Sequence, residues 1–147
     1  MSGTGKSTVV RALRVRGIRA IDMDEPGWSH TDGRGHQRWR VARLARAMDE
    51  VGDEPLVVSG CSEDQIGLRP RFSHVILLSA PPELIERRLA SRSGNPFGKD
   101  PAELATVMAD LRTIEPMLRA SASCEIVTTE PVGVVVERFI EAGGLAR

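Results

Sequence analysis

Short apolar runs alternate with longer amphipathic stretches along this chain, and the alternation predicts its elements. Val9, Val10, Ala12, Leu13 and Val15 supply the apolar surface of a helix, and Gly17 stands where a helix closes on a left-handed glycine. Ile18 to Asp24 reads as a short strand ending in two acids. Gly35 to Val51 reads as an amphipathic helix, with Val41, Leu44, Ala45, Met48 and Val51 at helical spacing. Leu56-Val57-Val58-Ser59, bounded by Pro55 and Gly60, has the make-up of a buried strand, as has His74 to Ser79. Pro81-Pro82 opens a helix through Leu84, Ile85 and Leu89, since proline is tolerated in a first turn. Ser93 to Asp100 is loop by composition. A longer helix follows through Leu104, Val107, Met108, Leu111 and Leu118, and Pro116 either kinks it or starts another. Cys124 to Thr128 is the last strand, and Val132, Val135, Val136, Phe139 and Ile140 mark the closing helix.

Continuously apolar strands between helices mean a parallel sheet covered on both faces, hence an α/β fold. At 147 residues the chain fits a single domain with a real core, residues 1–147. It contains no repeat, linker or low-complexity tract. The balance of 20 basic against 20 acidic residues argues against non-specific nucleic-acid binding and against a polybasic membrane anchor. Aromatic residues make up 3% with no Tyr, which leaves no platform for base stacking. There is no apolar run of bilayer length and no signal peptide, so a cytoplasmic location is expected. In a reducing compartment Cys61 and Cys124 are expected as buried free thiols and not as a disulfide.

The chemistry begins at the first residues. Met1-Ser2-Gly3-Thr4-Gly5-Lys6-Ser7-Thr8 carries the G-K-[ST] ending of the phosphate-loop pattern G-x-x-x-x-G-K-[ST]. Ser2, Gly3, Thr4 and Gly5 are small enough for successive N–H groups to cradle phosphate oxygens, and Thr8 lies in the helix start that adds its dipole. Lys6 would reach the terminal phosphates, and the Ser7 hydroxyl would ligate Mg²⁺. The pattern's first glycine would fall one place before Met1, and no strand precedes the loop. The expectation is therefore a fold without its first, central strand, with Met1 standing as an internal methionine. The plainer alternative is a flexible Gly/Ser-rich start.

The order of elements, with D-x-D after the first predicted strand and R-x-x-x-R before the loop, resembles the P-loop small-molecule kinases. These include the shikimate, gluconate, adenylate and dephospho-coenzyme A kinases. The segment R-S-G-N-P-F-G-K looks like the lid of bacterial AAA-type or shikimate-kinase-like ATPases, a label that implies nucleotide binding and nothing finer. The resemblance implies a three-layer P-loop NTPase sandwich that binds ATP and Mg²⁺, with a small lid at 93–100. It gives Asp22 the task of holding Mg²⁺ through water, and Asp24 that of contacting the acceptor hydroxyl and taking its proton. It gives Arg88 and Arg92 the task of bracketing the adenine and the transferring phosphates, with Lys99 joining them on Gly94 and Gly98 as pivots. Each has a plainer reading: a solvated acid pair before Pro26-Gly27, and a charged helix face on which Glu83 and Glu86 pair with Arg87 and its neighbours.

Weaker candidates complete the reading. Ser59-Gly60-Cys61 would line the acceptor side, the glycine permitting close approach of a substrate. It departs from the glycine triplet of shikimate kinases, and Ser59 stands where an acid could have ended the strand. Trp28 and Trp39 either roof an acceptor pocket or pack. Thr129-Glu130-Pro131 follows the last strand, where related kinases hold adenine. His30, His36 and His74 lack metal-ligand spacing. The implied function is transfer of the ATP γ-phosphate to a small-molecule acceptor, with Lys6, Asp24 and Arg92 catalytic. The alternative is a nucleotide-binding regulatory ATPase or degenerate kinase without efficient transfer.

Overall fold

A computed structural model describes residues 1–145 of the chain. They gather in two compact units, one formed by Met1–Lys6 with the chain from His74 onward, the other by Ser7–Ser73.

Helix α1 (Lys6–Val15) leads into the Ser7–Ser73 unit. It closes on Gly17 at φ 78°, with the N–H of Gly17 donating to the Arg14 carbonyl and that of Ile18 to the Leu13 carbonyl. Strand β1 (Arg19–Asp22) follows, then a hairpin of β2 (Ser29–Thr31) and β3 (Gln37–Trp39), helix α2 (Val41–Glu50) and strand β4 (Leu56–Ser59). A short helix α3 (Gln65–Leu68) runs into a 3₁₀ turn at Arg69–Arg71. β1 and β4 pair in parallel, with Arg19 opposite Leu56 and Asp22 opposite Ser59. Met23, Trp39, Leu44 and Leu68 form the buried core, flanked by Ile21, Trp28, Met48, Val58 and Phe72.

The hairpin corrects the helix expected from Gly35. Asp32 Oδ1 accepts from the N–H groups of both Arg34 and His36, and Gly35 takes φ 83°. These local bonds reverse the chain and compete with helix formation. Trp39 N then donates to Asp64 Oδ2, so α2 starts only at Val41. Burial alone would raise the Asp64 pKa, but the Trp39 N–H, the Ser62 hydroxyl and the Arg38 guanidinium together lower it.

The other unit contains β5 (Ile76–Ser79), α4 (Pro82–Ser91), α5 (Pro101–Thr113), α6 (Glu115–Ser121), β6 (Cys124–Val127) and α7 (Val132–Ala142). β5 and β6 are parallel, Ile76 opposite Cys124. Pro82 and Pro101 sit in first turns, and the Asp100 side chain caps α5 by accepting from Ala102 N at 2.8 Å. Pro116 lies in the first turn of α6, so it starts a new helix. Ala80, Ile85, Leu89 and Val107 form this unit's core.

The parallel strands pair as β1 with β4 and β5 with β6, and none of the described residues ahead of α1 is in a strand. Both cysteines are free, and each is half-buried. Among the described residues no helix is long and apolar enough to cross a membrane.

Candidate functional site

The phosphate loop turns on two glycines in the left-handed region, Gly3 at φ 77° and Gly5 at φ 93°. A β carbon on Gly3 would lie 2.9 Å from Ile85 Cγ2 of α4, so both the backbone and the available space select glycine there. Thr4 between them is buried and donates from Oγ1 to the Met1 carbonyl at 3.2 Å. The Lys6 ammonium folds back onto the same carbonyl. Lys6 is also the first residue of α1, whose opening N–H groups have no carbonyl within the helix to bond. Ser7 and Thr8 follow on that first turn, both exposed. A lysine and free N–H donors at a helix start form an arrangement suited to an oxyanion.

Behind the loop stands a group that the sequence reading did not assemble. Arg88 on α4 donates from Nη1 to the Gly3 carbonyl at 3.2 Å and to Thr128 Oγ1 at 2.9 Å, and from Nη2 to the Thr128 carbonyl. Thr128 is 4% exposed at the end of β6, with Oγ1 3.0 Å from the Thr4 carbonyl and 3.1 Å from the Ser79 carbonyl. Burial pushes the Arg88 pKa down. Arg92, at the end of α4, donates from Nη2 to the Phe97 carbonyl, while its buried Nε finds no partner among the described residues.

The 93–100 loop is held at several points. Asn95 Oδ1 accepts from Phe97 N, and Glu103 Oε2 accepts from Gly98 N. Gly98 lies at φ 88° against Leu89, whereas Gly94 faces open space. Lys99 is exposed on this loop.

The acids lie in the Ser7–Ser73 unit. Asp22 ends β1 and is 3% exposed, and its Oδ1 accepts from Asp24 N at 3.1 Å. β1 stops at Asp22, so the strand periodicity that would put both acids on one face does not extend to Asp24. Asp24 is instead exposed in the following turn, and its Oδ1 accepts from Gln37 Nε2 at 2.9 Å. The same Gln37 amide donates to Ser29 Oγ at 3.0 Å, so the hairpin orients Asp24. Glu25 braces the turn through a two-pronged pair with Arg14 at 2.6 and 2.8 Å, which lowers the Glu25 pKa.

At the end of β4 the room over Gly60 is filled by the protein itself. An added β carbon would lie 2.7 Å from Trp39 Cζ2 and 2.9 Å from Met23 Cβ. Trp39 is a core residue, and Trp28 lies under the Arg43 guanidinium at 4.2 Å, so both tryptophans pack. Ser59 Oγ is buried without a partner among the described residues. Those residues contain no cluster of three His, Cys, Asp or Glu side chains that could hold a metal. Ser7 and Asp22 offer a hydroxyl and a carboxylate, hard oxygen donors of the kind Mg²⁺ takes sparingly while keeping its waters.

A family model described as an AAA domain matches residues 1–109. The chain belongs to the AAA domain family. Two solved structures share its fold. One is a shikimate kinase from Bacteroides thetaiotaomicron, 23% identical, with a TM-score of 0.60 over 95% of this chain and 92% of that one. The other is an unliganded sugar kinase from Janibacter sp. HTCC2649, 20% identical, with a TM-score of 0.62 over 99% and 91%. No curated protein matches the sequence. The fold of this AAA domain protein is that of a P-loop NTPase.

Proposed function

We propose that this AAA domain protein is an ATP-dependent kinase that transfers the γ-phosphate to a small-molecule acceptor. The observation that carries the reading is the loop itself: left-handed Gly3 and Gly5, Lys6 at its end, and α1 starting there. In this reading Ser2 to Gly5 and Thr8 line the phosphates. Lys6 neutralises charge as it builds on the transferring group. Ser7 and Asp22 would hold Mg²⁺, which when bound screens the phosphate oxygens. Asp24, exposed and oriented by Gln37, contacts the acceptor hydroxyl and takes its proton. Arg92 and the 93–100 loop serve the nucleotide, and Arg88 acts next to the loop.

A second reading, a nucleotide-binding module without efficient transfer, is favoured by the end of β4, which carries Ser59 and no acid. The change Asp24→Asn separates the two. It keeps the shape and the Gln37 contact but removes the base. Phosphoryl transfer to a panel of hydroxylated acids, sugars and nucleotides should fall about a hundredfold or more, with Mg·ATP affinity within about twofold of wild type. Transfer that survives the substitution takes Asp24 out of the chemistry, and binding without transfer in the unsubstituted chain selects the module.

A further inference from the structure

We propose that Thr128 is a positioning residue of the phosphate loop, holding the loop's carbonyls away from the ligand together with Arg88. The geometry stands on its own, and its consequence for affinity rests on the nucleotide-binding reading above.

The geometry of the peptide unit sets where the loop's donors point. In a trans peptide the carbonyl of one residue and the N–H of the next point in opposite directions within one plane. The backbone contains no cis bond among the described residues. The Gly3 carbonyl accepts from Arg88 at 3.2 Å, which turns the Thr4 N–H the other way. The Thr4 carbonyl lies 3.0 Å from Thr128 Oγ1, which does the same for the Gly5 N–H. Two successive donors are thereby aimed off the face that Arg88 and Thr128 occupy. A loop that cradles phosphate needs its N–H groups aligned in that way before the ligand arrives.

Thr128 has the means to fix this arrangement. Its own N–H donates to the Ser79 carbonyl at 2.8 Å, so its backbone is tied to β5. Its hydroxyl has one proton and two lone pairs. It accepts from Arg88 at 2.9 Å and shares its proton between the Thr4 and Ser79 carbonyls, at 3.0 and 3.1 Å. The guanidinium fork, which donates to three oxygens, cannot be copied by lysine. The two side chains also lie in van der Waals reach of the loop's backbone: a β carbon on Gly5 would stand 3.9 Å from both Arg88 Nη1 and Thr128 Oγ1.

The test uses the 147-residue chain with Thr128→Val, which keeps the shape and loses the hydroxyl, and Thr128→Ser, which keeps the hydroxyl. Two quantities are read: the amide resonances of Thr4 and Gly5 in the free protein, and Mg·ATP affinity by calorimetry. The valine variant should shift both resonances and weaken binding about tenfold, and serine should restore both. Unshifted resonances, unchanged affinity, or equal loss in the two variants would each overturn the proposal. If the wild type binds no Mg·ATP, the nucleotide reading falls, and the resonances alone decide the clamp. Should the valine variant fail to fold, Arg88→Lys is read in the same two ways.

Discussion

At Gly60 the decisive physics is space and not backbone freedom, since its φ lies outside the left-handed region. Trp39 and Met23 already occupy the volume of a β carbon. Gly60→Ala should therefore cost about 1–3 kcal/mol through overpacking, read from denaturant midpoints. A change below about 0.5 kcal/mol would mean the core yields freely at that point. The glycine itself was legible in the sequence, but not its neighbours Trp39 and Met23, which come from distant parts of the chain. The same holds for the phosphate loop. Gly3, Gly5 and Lys6 are legible because the conformation and charge they supply are properties of the residues themselves. Thr128 and Gln37 are not, because their meaning lies in contacts with Thr4 and Asp24, 124 and 13 positions away.

Among the elements, α6 and β6 are joined by charge. Arg119 donates to Glu125 at 2.7 and 2.9 Å and to Glu115 at 2.8 Å, and Ser79 Oγ also donates to Glu125. The Arg119 bonds first, and the Ser79 bond second, hold the Glu125 carboxyl at about 2 against an ordinary 4.5. A depressed folded value means the stabilisation is complete above the ordinary value and is lost as pH falls from about 4.5 towards 2. Glu125→Gln should lower the melting temperature at neutral pH, and the gap to wild type should close in that acid window. With the carboxylate partly exposed, the neutral-pH cost is about 1 kcal/mol. A gap that stays constant down to pH about 2 would show that the charge contributes nothing. The apolar strands and most helices were legible because burial on both faces leaves continuous apolar runs. The β2–β3 hairpin was not, because its three-residue strands are mostly polar and the turn between them is set by Asp32 bonds.

For the whole molecule, the α/β class and the P-loop NTPase fold followed from the order of elements and the loop motif, and the AAA domain match over residues 1–109 places the family. Which strands neighbour each other was not legible: β1 pairs with β4 and β5 with β6, and pairing of strands distant in sequence depends on contacts that periodicity does not carry. In the proposed function Met1 to Thr8 forms a working phosphate loop. Calorimetry of Mg·ATP with the 147-residue chain and its Lys6→Ala variant decides whether it does. Saturable binding by the wild type, weakened at least about tenfold by the substitution, is the predicted result. A folded wild type that binds no nucleotide, or binds it as well without Lys6, would contradict it.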